Sequence, residues 1–334
     1  MFAAQFDRFG PPEVLFVGSF PEPHAGPGEV RIRVHAAGIS PVDLAIRAGQ
    51  SPSKLELPHI PGVDAAGVVD EVGAGVSGVA VGDAVFGAVA VAQLGGASAE
   101  FAVLAFWALK PALMPWVQAA AGGTSIETAT RALDLLELQA GMTLLIDGAS
   151  GGVGSVAVLL ALARGARVIG TGSAPSQAFI EQLGAVPISY GPGLADRLRA
   201  FGRVDAALDV AGAGSLSELI AITGTPASIV SIADFSARHQ GVRLSLGDFG
   251  GEAHGRHGLA RAAALFEQGR FRVPVQEVFS LAEIGRAHAL AARGPRRGKV
   301  VLAVAAGVDG AGADHPLGDD QVDHPAGGQE QSAG

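Results

Sequence analysis

The chemistry of this chain is densest in seven residues, Gly148-Ala149-Ser150-Gly151-Gly152-Val153-Gly154. They follow the apolar stretch Thr143-Leu144-Leu145-Ile146 and open another from Val153 to Ala163, the pattern of a strand, a loop and a helix. In such a turn Gly151 and Gly152 let the backbone approach a diphosphate. Gly154 lets helix and strand pack closely, and the helix N-terminus attracts the anion. Ala149, Ser150 and Val153 complete the candidate dinucleotide contacts. Glycine patterns arise easily among 49 glycines, so a turn without a ligand is the plainer alternative. The flanking strand and helix favour the ligand.

An NAD site of this kind places an acid about 20 residues past the glycines to bind the ribose hydroxyls. Here that position is Thr171-Gly172-Ser173, without an acid. An acid there would repel a 2′-phosphate, so NADPH is the expected cofactor. Ser173 can donate a hydrogen bond to the phosphate. No Lys or Arg lies between Thr171 and Gly184, so the compensating cation has to come from elsewhere.

Other reactive residue types are sparse or scattered. The chain has no cysteine, which removes disulfides, thiol nucleophiles and cysteine-ligated metals. His254 and His257 stand three apart near Glu252, but four surrounding glycines read as a loop, and no metal site is expected. That loop is a candidate substrate lid. Ser150 beside His and Asp residues scattered elsewhere does not make a hydrolase, and the glycines around it read as the dinucleotide loop. Arg293, Arg296, Arg297 and Lys299 form a basic cluster that reads equally as a solvated turn or as a phosphate contact.

These residues need a scaffold. At 334 residues, 49% hydrophobic and 16% charged, the chain suits a globular α/β protein of two domains. Before Pro115, 30–34 (VRIRV) alternates apolar and polar at period two, and the mainly apolar 65–72 ends at Gly73; glycines cut the region into short strands, as in an irregular, mostly β barrel. After Pro115 helices alternate with apolar strands. Thr124 or Ser125 is the expected cap of a helix running to about Leu138, and strands are expected at 143–146, 167–169, 186–189, 204–210 and 227–232. Repeated β-α units of this kind build a doubly wound parallel sheet. A helix over 259–268 closes the series, and Phe279 to Leu302 reads as strand, helix and strand. From Gly307 the tail is expected to be disordered. It carries six acids and no Lys or Arg, so the formal net charge of −9 falls to about −3 for the rest. Nucleic acid is therefore an improbable partner. With no signal-like N-terminus and no membrane-length apolar run, a soluble cytoplasmic protein is expected.

Several segments together resemble the zinc-independent medium-chain dehydrogenase/reductase superfamily, near its quinone oxidoreductases and enoyl reductases. They are 36–43 (AAGISPVD), 61–69 (PGVDAAGVV), 81–87 (VGDAVFG), Thr128-Ala129 and 298–302 (GKVVL). The resemblance covers about residues 1 to 305. It implies a groES-like catalytic domain formed by 1–115 and 269–306, with a Rossmann domain over 116–268 between them, a nicotinamide cleft and a homodimer. It puts Ser40 and Thr128 near the nicotinamide, and Tyr190 and Arg293 near the adenosine phosphate. Tyr190, the one tyrosine, reads equally as a half-buried strand end. Zinc relatives carry Cys where Ser40 stands and His where Val63 stands, so metal-assisted alcohol oxidation is not expected. The implied reaction is hydride transfer from NADPH to a quinone or to the C=C bond of an α,β-unsaturated carbonyl compound. The alternatives are a reductase of another carbonyl substrate and a nucleotide-binding redox sensor or structural protein without turnover. Some relatives have a tyrosine shortly after Asp43, but 44–47 (LAIR) supplies none, which leaves the proton donor unnamed. Ser40 and Asp43 are the catalytic candidates. The plainer role for Asp43 is to cap backbone amides.

Overall fold

The computed structural model describes residues 1–50, 54–90, 93–251, 254–294 and 296–305. The expected tail disorder and Glu252 lie outside the described residues. Among the described residues no helix is long and apolar enough to cross a membrane.

Chain order starts with a small antiparallel pair, β1 (Phe2–Gln5) and β2 (Phe16–Ser19). The long strand β3 (Val30–Ile39) follows and leads directly into α1 (Pro41–Arg47). Proline at the first helical position suits this start, because its missing N–H would have had no intrahelical partner. Next come β4 (Asp64–Val72), β5 (Ala84–Ala88), β6 (Phe101–Leu104) and β7 (Phe106–Leu109). β3 pairs antiparallel with β4 and with β6, and β4–β5–β7 continue antiparallel. The inward-facing Val30, Ile32 and Val34 of β3 are buried, as the period-two alternation requires.

The helix α2 (Trp116–Leu135) differs from expectation. It starts eight residues before Thr124, which lies with Ser125 in its middle. Pro115 is its N-cap, and the Trp116 ring is held between the stacked His35 ring at 4.2 Å and the Lys110 ammonium at 4.6 Å. Gly122 and Gly123 have low helix propensity, yet inside α2 they permit contact: a Cβ on Gly123 would lie 2.3 Å from the Gly87 carbonyl. The helix ends at Leu135 rather than Leu138, since Glu137 takes a left-handed conformation, φ 50°.

The second sheet alternates strands with helices: β8 (Thr143–Asp147), α3 (Gly152–Ala163), β9 (Arg167–Gly172), α4 (Gln177–Gln182), β10 (Val186–Ser189), α5 (Leu194–Leu198) and β11 (Ala206–Asp209). Then follow α6 (Leu216–Thr223), β12 (Ile229–Ser231) and the two-residue β13 (Arg243–Leu244). All six strands are parallel in the order β10-β9-β8-β11-β12-β13. The order reverses between β8 and β11, so the crevice of a doubly wound sheet falls at the end of β8, where the glycine loop stands.

After α7 (His257–Glu267) the chain returns to the first sheet. β14 (Val275–Ser280) pairs with β15 (Lys299–Ala303), which adds antiparallel to β3, with α8 (Ile284–Ala291) between them. The return is tied to the second sheet as well. Gly298 N donates to Ser150 O at 2.8 Å and forms a bridge with Gly151.

Candidate functional site

A cleft of about 1330 Å³ opens between the two sheets. That exceeds the roughly 300–1,000 Å³ typical of one small-ligand pocket. Its centre is the glycine loop. Gly148 adopts φ +92°, and a Cβ on Gly154 would stand 2.2 Å from Gly148 O, so only glycine lets α3 start this close to β8. Gly151 has no heavy atom nearer than 3.8 Å to a built Cβ, which leaves room in front of the α3 N-terminus. Ser150, Gly151, Gly152, Val153 and Gly154 line the cleft. Ala149 does not: it is fully buried beneath the loop, and its N–H donates to Thr171 O at 3.0 Å. The loop is braced from below, where Gly148 N donates to Thr171 Oγ1 and that hydroxyl donates to Asp147.

One end of the cleft lies beyond β9. Ser173 and Ser176 share a hydrogen bond of 3.1 Å, and both face the cleft with the exposed Tyr190. The Tyr190 turn is shaped by Arg197, whose guanidinium donates to the carbonyls of Ser189, Gly191 and Pro192. Arg296 also lines this end. Its neighbour Arg297 donates to Pro175 O at 2.8 Å, docking the return segment on the Ser173–Ser176 turn. Arg293 is exposed near the end of α8 and is not among the cleft-lining residues.

At the other end lie Ser40, Val63, Thr124, Ser125, Thr128 and Lys299. The sequence reading missed what joins them. Asp64, fully buried at the start of β4, accepts from Ser40 Oγ at 3.1 Å, Thr124 Oγ1 at 2.9 Å, the Thr124 N–H and the Lys299 ammonium. Lys299 also donates to Ser125 Oγ at 3.2 Å. Both residues fall inside segments quoted for the resemblance, but nothing local in either signals a pair. The same end holds Glu127 and Arg131, one helical turn apart on α2. Glu127 accepts from Gly255 N–H at 2.9 Å, tying the glycine-rich loop to α2. Burial alone would raise the Glu127 carboxyl, but the hydrogen bond and charge of Arg131 hold it below its ordinary value.

Asp43 plays the capping part. Its carboxyl is buried, accepts from Ser40 N–H at 2.7 Å and Gly62 N–H at 3.2 Å, and is not among the cleft-lining residues. Burial pushes it up to about 7 against those amide donors, and the nearby charge of Asp64 adds to the rise. It fixes the backbone of Ser40 and would touch no ligand. His257 pairs with Asp134 at 3.2 Å, and no group of three metal-ligating side chains occurs among the described residues. Asp248 and Arg256 of the glycine-rich loop form an ion pair at 2.9 Å and face the cleft, with the Arg256 guanidinium 5.0 Å from the Phe106 ring centre.

Known proteins share this architecture. The family model of the alcohol dehydrogenase GroES-like domain matches residues 26–112, and that of the zinc-binding dehydrogenases matches residues 183–302. Quinone oxidoreductase of Rattus norvegicus is 40% identical over 192 residues, 55% of this chain and 57% of that one. The chain thus spans little more than half the length of that curated relative. The structure of quinone oxidoreductase from Coxiella burnetii superposes with a TM-score of 0.79 at 30% identity, covering 91% of this chain and 99% of that one. Escherichia coli quinone oxidoreductase complexed with NADPH superposes with a TM-score of 0.74 at 26% identity, covering 91% and 100%.

Proposed function

The chain belongs to the medium-chain dehydrogenase/reductase superfamily, quinone oxidoreductase-like, and on that premise we propose that it is an NADPH-dependent reductase of quinones or of α,β-unsaturated carbonyl compounds. The observation that carries this reading is one continuous cleft, lined at one end by Ser173, Tyr190 and Arg296 and at the other by Ser40 and Thr128, with the α3 N-terminus between them. When bound, the reduced nicotinamide supplies the hydride.

The residues present suit such a cofactor. The amides at the start of α3 would hold the diphosphate. Ser173, Ser176, Tyr190 and Arg296 would surround the 2′-phosphate, with Arg296 as the cation that the end of β9 and its following turn lack. Ser40 and Thr128 commit their hydroxyl protons to Asp64 and Glu127, so each offers lone pairs to the cleft, as a carboxamide N–H requires. Val63 has no donor atom where zinc relatives place histidine, so hydride acceptance would rely on hydrogen bonding rather than on a metal held at that position. The homodimer implied by the resemblance belongs to the same proposal and is checked by light scattering.

The test is a fluorescence titration with NADPH and NADH, followed by a quinone or an enone. Preferential NADPH binding with oxidation on addition of either acceptor supports the reading. Tight binding without turnover across an acceptor panel would favour a redox sensor, and no binding of either nucleotide would overturn the cofactor assignment.

A further inference from the structure

Reduction of a polarised double bond needs a proton as well as a hydride, and the cleft identifies where it is stored. Four hydroxyls gather at the Asp64 end of the cleft: Ser40 at the start of α1, and Thr124, Ser125 and Thr128 on α2. Three have their protons engaged, Ser40 and Thr124 on Asp64 Oδ2 and Thr128 on Glu127 Oε2. Ser125 differs. Its Oγ accepts from Lys299 Nζ at 3.2 Å, and its own proton has no acceptor among the described residues. It lines the cleft although its residue is only 1% exposed. A hydroxyl that accepts from an ammonium is polarised into a better donor, and Lys299 is held in place by Asp64.

We propose that Ser125 is the proton donor to the reduced substrate, with Lys299 as the positioning residue that polarises and recharges it. The proposal rests on the hydride-transfer reading above. Hydride from the reduced nicotinamide forms a C–H bond at the electron-poor carbon of an enone, and the π electron pair moves towards the carbonyl to give an enolate. The Ser125 O–H bond breaks as its proton bonds to that enolate. Lys299 passes a proton to Ser125 Oγ and regains one from water entering the cleft. The sum is one hydride and one proton added to the acceptor, with no further reductant.

The experiment uses the full chain. Ser125→Ala is expected to lower kcat with an enone about 100-fold, within the span of general acid catalysis, while the NADPH Kd from fluorescence stays unchanged. Lys299→Arg keeps a cation opposite Asp64 but does not release its proton, so it is expected to lower kcat at unchanged NADPH affinity. A readout independent of turnover is 4-nitrophenolate, a stable oxyanion, binding to the NADP-loaded protein. Its affinity should fall about tenfold in Ser125→Ala, the loss expected for one hydrogen bond to a charged group. Unchanged kcat and phenolate affinity in Ser125→Ala overturn the proposal, as does a loss confined to NADPH affinity, which would make Ser125 a cofactor ligand. Wild-type protein that binds NADPH but reduces no acceptor overturns the hydride-transfer reading itself, and the proposal with it.

Discussion

The Lys299 ammonium meets Asp64 Oδ2 inside the protein, with side chains 5% and 0% exposed, although the two residues stand 235 positions apart. The contact joins the first residue of β15 to the first of β4 beside the N-terminus of α3. A buried pair contributes little relative to apolar replacements of the same shape, but removing one member strands the other. Asp64→Asn should therefore lose about 3–5 kcal/mol of stability. Asp64→Asn combined with Lys299→Met should recover most of that loss. Urea unfolding of the three proteins checks this, and a single variant as mild as a surface change would contradict it.

Two buried groups pull the pH dependence of stability in opposite directions. Asp43 is raised by burial from 3.8 to about 7, so its contribution is complete below pH 4 and is lost as pH rises through 7. His288 is lowered to about 3, first by burial and then by the Arg47 charge. Its contribution is present above pH 6.5 and lost as pH falls towards 3. Between pH 4 and 6.5 the two offset each other, at about 1.4 kcal/mol per unit for each group. Asp43→Asn should make the protein lose stability steadily as pH falls across that window, and His288→Gln should make it gain. Unfolding midpoints recorded from pH 4 to 7 decide it, and parallel curves for the two variants would refute the assignment.

Arg296 is expected to set nucleotide preference. Losing a hydrogen bond to a charged phosphate costs about 1.5–3 kcal/mol, so Arg296→Ala should weaken NADPH binding about 10- to 100-fold. NADH binding should be unaffected. Arg293→Ala should change neither, because Arg293 lies outside the cleft lining. If the loss appears in Arg293→Ala instead, the position implied by resemblance is the correct one.

The two glycines of the loop should fail differently. In Gly154→Ala the new methyl meets Gly148 O at 2.2 Å and Ala149 Cα at 2.9 Å. Overpacking of that kind costs about 1–3 kcal/mol, and both nucleotides should bind poorly. In Gly151→Ala the nearest atom is 3.8 Å away, so thermal stability should hold while nucleotide affinity falls, because the methyl stands in front of the α3 N-terminus. Thermal unfolding and fluorescence titration of both variants separate these outcomes.

Much of this architecture was legible along the chain. The alternating apolar runs at 143–146 and 167–169, with an apolar helix between them, fall in β8, β9 and α3 because the sheet buries both faces of each strand. The start of α2 was not legible. Gly122-Gly123 is a breaker by local propensity, and only the approach of the helix to Gly87 turns it into an advantage. The resemblance offered Arg293 for the phosphate, whereas the return segment brings Arg296 to the cleft beside the Ser173 turn.

The sequence by itself determined the glycine loop, the missing acid at Thr171-Gly172-Ser173 and the absence of cysteine, since each depends on residue types within one β-α-β unit or on composition alone. Tertiary structure decided that Asp43 caps Ser40 and Gly62 rather than facing the cleft, and that Asp64, Ser125 and Lys299 meet. Those contacts join positions on β4, α2 and β15, and their side chains share a site only because β15 returns to β3 and ties itself to Ser150. No periodicity along the chain encodes a distance between strands so far apart in sequence. That distance is set by how the two sheets pack against α2.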